Sequence, residues 1–321
     1  MAENKMAVVA IGGNSLIKDP SRKTVKDQYL AAKETCVHIA DMIEQGWEVA
    51  IGHGNGPQVG FILRRSDIAV KYAGMHPVPL DACVADSQGA IGYALQQNLN
   101  NEFYRRRMNK RVATVITQVL VDKNDPAFAN PTKPIGSFYT ATEAREHVQN
   151  DGWSVVEDAG RGWRRVVPSP RPQKIIEISA IKTMLDSGIC AITVGGGGIP
   201  VVEDEYEDLF GVAAVIDKDF ASSLLAQSIG ADLFLISTSV EQVYLNFNQP
   251  DQCPIDKMTV SEARAYLEQG HFARGSMEPK IRAIIEYLDA GGKRAIITSP
   301  EHITAALGGE TGTHVVPDDE G

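Results

Sequence analysis

Five short apolar runs, most of them closed by a glycine or serine/proline turn, limit what this chain can fold into. Ala7–Ile11 ends in Gly12-Gly13, the run 48–51 in Gly52-His-Gly-Asn-Gly56, and Cys190–Val194 in Gly195-Gly-Gly-Gly198. Leu233–Ile236 and the run 295–298 end in serine/threonine-rich and Ser-Pro turns. Runs of this length without alternation predict strands of a parallel sheet covered on both faces. Between them lie helical patterns. Tyr29, Ala32, Cys36, Ile39 and Ile43 step by three and four before Gly46, and Ile281, Ile284, Ile285 and Leu288 do so before Gly291-Gly292. Strand alternating with helix predicts an α/β sandwich with right-handed crossovers, its ligands at the carboxyl ends of the strands, where the glycine turns lie.

Composition removes several classes of function. The chain has 321 residues, 43% of them hydrophobic, enough for one large or two modest domains. Its formal net charge of −10 argues against a nucleic-acid-binding surface but leaves room for a locally basic cleft. Four scattered cysteines without a C-x-x-C argue against a disulfide framework or a zinc site, and fit a reducing compartment. No apolar stretch approaches membrane-spanning length and the amino terminus does not read as a signal peptide, so a cytoplasmic protein is expected.

One segment breaks the rhythm. From about 123 to 174 the chain is rich in proline, glycine and charge. Ser154–Val156 and Trp163–Val167 flank a glycine turn and predict a β-hairpin, taken here as a small protruding subdomain over 124–172. Arg161, Arg164, Arg165, Arg171 and Lys174 give it a basic edge: either a solvated face or a lid that draws in an anionic substrate. The stretch 112–121 is read as one strand.

The glycine turns predict an anion site, since backbone N–H groups approach a phosphate most closely where no Cβ intervenes. The P-loop and G-x-G-x-x-G patterns are both absent, as are the serine-hydrolase elbow and H-E-x-x-H. Lys133 (131-PTKPIG-136), Lys218 between Asp217 and Asp219, and Lys280 (275-GSMEPK-280) are candidate phosphate contacts, although any one of them alone could be a surface lysine or a structural ion pair. The Asp217–Asp219 triplet is placed at a strand end opening a helix. His53 is a candidate base, but a lone histidine in a glycine turn is more often structural. With no convincing general base, an acceptor already ionised at neutral pH fits best, because phosphoryl transfer to it needs only positioning and charge neutralisation.

These motifs, taken in order, resemble the carbamate kinases of the amino acid kinase family over nearly the whole chain: 10-AIGGNSL-16, 52-GHGNGPQVG-60, 131-PTKPIG-136, 195-GGGGIPVV-202, 214-AVIDKD-219 and 275-GSMEPK-280. Ser15 and the stretch 239–244 depart from the usual pattern. The resemblance implies a phosphotransferase on a three-layer αβα sandwich with a mostly parallel central sheet. It places carbamate or carbamoyl phosphate in residues 1–200, lid included, and ATP or ADP in 201–321. It implies that Gly12, Gly13, Asn14, Gly54, Asn55, Gly196 and Gly197 surround the substrate. Lys133 would act from the lid, Lys218 and Lys280 on the ATP phosphates, and Asp219 would orient the lysines. Ser237, Thr238, Tyr244 and Met277 would meet the nucleotide. Mg²⁺ with the nucleotide and a homodimer are implied as well. Another amino acid kinase, or a non-catalytic nucleotide sensor on the same fold, are the alternatives.

Overall fold

The protein is described from a computed structural model that covers residues 5–12, 24–157, 160 and 162–320. In β1 (Lys5–Ile11) neighbouring side chains enter two different cores, Val8 and Ala10 on one face and Ala7, Val9 and Ile11 on the other. Burial on both faces is why the run is continuous rather than alternating. The chain continues through α1 (Val25–Glu44), β2 (Trp47–His53), α2 (Gln58–Ala73), α3 (Leu80–Arg105), β3 (Arg111–Thr114) and β4 (Gln118–Val121). Then come β5 (Lys133–Tyr139), α4 (Ala141–Asp151), β6 (Ser154–Glu157), β7 (Trp163–Val167), β8 (Pro172–Ile175), α5 (Ile178–Asp186) and β9 (Ile189–Ile192). The remainder is β10 (Ile199–Glu203), β11 (Leu209–Gly211), α6 (Lys218–Ile229), β12 (Leu233–Ser237), β13 (Val243–Leu245), β14 (Cys253–Ile255), β15 (Lys257–Thr259), α7 (Val260–Glu268), α8 (Met277–Asp289), β16 (Arg294–Thr298), α9 (Ile303–Leu307) and β17 (Thr313–Val316).

The main sheet has the order β15-β17-β16-β12-β1-β2-β9-β3. It is parallel from β16 to β3, and β17 joins β16 antiparallel. Helices α1, α3 and α9 supply the core on one face, and α5, α6 and α8 the core on the other, which gives the expected three layers. A second sheet, β11-β10-β4-β8, flanks the main one.

The structure departs from the sequence reading in three places. The stretch 112–121 is two strands: β3 pairs with β9 in the main sheet, whereas β4 pairs with β10 in the second. Between them the Thr117 N–H leaves the ladder and donates to Gln88 Oε1 at 2.8 Å. The apolar run 214–216 is buried but is not a strand. Its N–H groups bond outside any strand ladder, Val215 N donating to Pro168 O and Ala214 N to Val212 O. The excursion is more than a hairpin. β5, β7 and β6 form a three-stranded antiparallel sheet, with α4 inserted between β5 and β6 and capped by a Thr140/Glu143 box.

Candidate active site

A cleft of about 820 Å³ opens where the carboxyl ends of β1 and β2, the 195–197 turn, the amino ends of α6 and α8, and the first strand of the lid meet. Among its lining residues are Gly12, Gly54, Asn55, Lys133, Arg164, Gly196, Asp217, Lys218, Asp219, Thr238 and Lys280.

The glycine turn is built by necessity. Gly196, Gly197 and Gly198 all have positive φ, at 66°, 92° and 87°. A Cβ on Gly196 would lie 1.9 Å from Asn55 Oδ1, and one on Gly197 would lie 2.4 Å from the Ile216 carbonyl oxygen. Only glycine permits that backbone and that approach. Asn55 is held from behind, since Ser87 Oγ donates to its Oδ1 at 2.6 Å while its Nδ2 donates to Gly196 O at 3.4 Å. Gln88 locks the turn from α3, with Nε2 donating to Gly195 O at 2.9 Å and to Thr117 O at 3.0 Å.

Asp217 caps α6, accepting from Asp219 N at 2.9 Å, so Lys218 and Asp219 occupy the helix's first turn. Asp219 is almost wholly buried, and its two oxygens take two lysines. Lys218 Nζ donates to Oδ1, and Lys280 Nζ donates to Oδ2 at 2.9 Å. Burial alone would raise the Asp219 pKa, but the two ammonium groups outweigh it and hold the carboxyl well below the usual carboxylate range. Burial pushes the Lys218 ammonium below the ordinary lysine value, Asp219 opposes that, and Lys280 adds to the downward push. For Lys280, burial also pulls down, but Asp219 prevails and leaves it above that value.

Lys133 begins β5, and its Nζ donates to Asp217 Oδ2 at 2.5 Å. The Arg164 guanidinium lies 5.4 Å over the Phe138 ring on the same lid, with Nη2 3.4 Å from Gly136 O. The base of the lid is tied to both lysine-bearing helices. The Arg171 guanidinium lies 3.5 Å over the ring of Phe220 in α6 and pairs with Glu286 in α8, while its backbone N–H donates to Asp125 at 2.8 Å.

Four of the four predicted catalytic side chains, Lys133, Lys218, Asp219 and Lys280, therefore meet in one cleft, with Gly12, Gly54, Asn55, Gly196 and Thr238. Gly197 lies just beneath, against Ile216. Ser237 is buried in the sheet, where its carbonyl accepts from Gly12 N at 3.0 Å. Tyr244 sits on β13 with its ring centroid 6.0 Å from that of Phe247, and Met277 packs against the core at the start of α8; neither lines the cleft. Gly13, Asn14, Ser15 and Arg161 lie outside the described residues.

His53 has the structural role. It is 1% exposed, its Nδ1–H donates to Gly54 O at 2.9 Å, and burial lowers its pKa to about 4. Both carboxylates in the cleft are occupied by lysines, so among the described lining residues no side chain is poised to take a proton. The arrangement suits charge neutralisation on a transferring phosphoryl group.

The sequence reading missed Ser87, Gln88 and the paired role of Asp217. Val84, Ile91 and Leu95 mark the buried stripe of α3, and two polar residues interrupting that stripe were the available signal.

The model of the amino acid kinase family matches residues 5–299. The carbamate kinase of Clostridium perfringens is 50% identical over 311 residues, covering 96% of this chain and 99% of that protein. The carbamate kinase-like protein YahI of Escherichia coli is 49% identical over 314 residues, covering 97% and 99%. Among solved structures, carbamate kinase from Giardia lamblia bound to AMP-PNP superposes with a TM-score of 0.91 at 41% identity, covering 99% of this chain and all of that one.

Proposed function

This chain belongs to the amino acid kinase family, and on that premise we propose that it is a carbamate kinase, moving a phosphoryl group reversibly between ATP and carbamate to give ADP and carbamoyl phosphate. The observation that carries the reading is the convergence of Lys133, Lys218 and Lys280 on a cleft floored by glycine turns, with no free base among its described lining residues. Carbamate is an anion at neutral pH, so its oxygen attacks without first losing a proton. The remaining work is to hold donor and acceptor in line and to offset charge on the phosphoryl oxygens.

In this reading Gly12, Gly54 and Gly196, which carry no side chain, let the small carbamoyl phosphate lie close to the main chain, and the Asn55 amide helps to hold it. Gly13 and Asn14 belong with them by family resemblance. Lys133 meets the phosphoryl group from the lid. Lys218 and Lys280 neutralise it from the nucleotide side, and Asp219 fixes their direction. Thr238, with Ser237, Tyr244 and Met277, would hold the nucleotide. Residues 1–200, with the lid at 124–172, would take carbamoyl phosphate and 201–321 the nucleotide. Mg²⁺ enters as part of the MgADP or MgATP substrate. Among the described residues no group of three or more histidine, cysteine, aspartate or glutamate side chains is placed to hold a metal.

By the same family resemblance the enzyme would be a cytoplasmic homodimer making ATP during arginine or agmatine breakdown. None of the helices is long and apolar enough to cross a membrane, among the described residues. ATP formation from MgADP and carbamoyl phosphate tests the reading, and a panel of acetylglutamate and other carboxylates tests its substrate. Turnover with those and none with carbamoyl phosphate would assign another kinase of the family.

A further inference from the structure

Asp217 stands between the lid and the helix that carries Lys218. Its Oδ1 accepts from the Asp219 backbone N–H at 2.9 Å and caps α6. Its Oδ2 accepts from Lys133 Nζ at 2.5 Å, across 84 positions of sequence. The Lys133 and Asp217 side chains keep 31% and 18% of their exposure, so solvent and small anions reach the pair. Asp219 differs. At 4% exposure, with both oxygens held by lysines, it is part of the fixed frame.

Lys133 is thus already bound to an anion at the place where a phosphoryl group has to find it. To an ammonium group, a carboxylate oxygen and a phosphoryl oxygen are partners of the same kind. We propose that Asp217 is a positioning residue that holds the lid lysine until substrate arrives and releases it to the incoming phosphoryl group, so that substrate binding exchanges one anion for another on Lys133. The inference rests on the carbamate kinase reading and adds to it a built-in competitor for the substrate. No covalent bond forms or breaks in the exchange and no proton moves. Its consequence is a carbamoyl phosphate affinity set below what the lysines alone would give.

Asp217→Asn separates the two roles of the residue, because asparagine caps a helix about as well as aspartate but carries no charge. The test compares wild type, Asp217→Asn, Lys133→Ala and the double variant. It reads KM for carbamoyl phosphate and, by calorimetry at saturating ADP, affinity for inorganic phosphate, with thermal unfolding to check that the cap is kept. Asp217→Asn is expected to lower KM about 2- to 5-fold, the range of a partly exposed ion pair, with a matching gain for inorganic phosphate. The gain should vanish in the Lys133→Ala background, as coupling through that lysine requires. Unchanged or weaker binding in Asp217→Asn, or an equal gain without Lys133, overturns the proposal. Were the wild type to show no turnover, the carbamate kinase reading would fall, and the phosphate measurements would still decide this one.

Discussion

Lys280 and Asp219, 61 positions apart in the chain, meet at 2.9 Å. Lys218 holds the other oxygen of the same carboxylate, so one buried aspartate sets the direction of two cations brought together from two helices. Such a pair is costly to break from one side only, because the partners stay buried without their counter-charge.

Asp219→Ala should therefore damage stability and turnover together. Loss of the shared carboxylate leaves two buried ammonium groups and is expected to cost about 3–5 kcal/mol of folding stability. Turnover per folded molecule should fall as well, because neither lysine is aimed. Denaturant unfolding beside kcat checks both. A variant with normal kcat per folded molecule would mean that Asp219 serves only the fold.

Lys218 and Lys133 should fail differently. Lys218→Ala is expected to lower kcat roughly 100- to 1000-fold, the usual scale for removing one preorganised electrostatic group, with a smaller effect on ADP affinity. Lys218→Arg should fail too, since a planar fork does not replace a point charge in so tight a site. Lys133→Ala should raise KM for carbamoyl phosphate as well as lower kcat. A lowered melting temperature with near-normal turnover in Lys218→Ala would show that its bond to Asp219 is structural only.

Because burial pushes Lys218 below the ordinary lysine value, its charge is lost, as pH rises, before that of a solvated lysine at about 10.4. The account predicts an alkaline fall in kcat that begins below that value. A kcat that stays level to the ordinary lysine value contradicts it.

His53 gives a stability prediction of opposite sense. Its folded pKa is about 4 and the unfolded value about 6.5. Between the two, the unfolded chain binds a proton that the folded one refuses, so stability is lost as pH falls through this window. The slope from this group approaches about 1.4 kcal/mol per pH unit. Unfolding of wild type and His53→Gln from pH 7 to 4.5 should show the shallower acid loss in the variant. Parallel curves would contradict it.

The buried strands, the glycine turns and the lysine motifs were legible because each answers to local physics: double burial, positive φ, a held backbone. The helix α4 was not, although Thr140 and Glu143 spell a capping box, because Ala144 is its one buried residue among those described and no apolar stripe marks it. The break at 115–117 was hidden for a different reason. Thr117 leaves the ladder for Gln88, a side chain 29 positions away, and no local pattern announces such a partner. Asp217 showed only as a neighbour of Lys218, because its second partner lies 84 positions off in the lid.

The lid should be the least protected part of the sheet structure. The side chains of β6 are exposed or half-buried, whereas the core strand β12 is buried throughout. In hydrogen exchange, amides of α4 and β6 should open well before those of β4 and β12. Protection of the lid equal to that of β4 would rule out a mobile lobe at 124–172.

The most direct measurement is ATP formation from MgADP and carbamoyl phosphate by the purified, folded protein, run beside Lys218→Ala. The account predicts Mg²⁺-dependent turnover in the wild type that falls roughly 100- to 1000-fold in the variant while the fold is kept. Wild-type turnover no higher than background, in a sample shown to be folded, would contradict it.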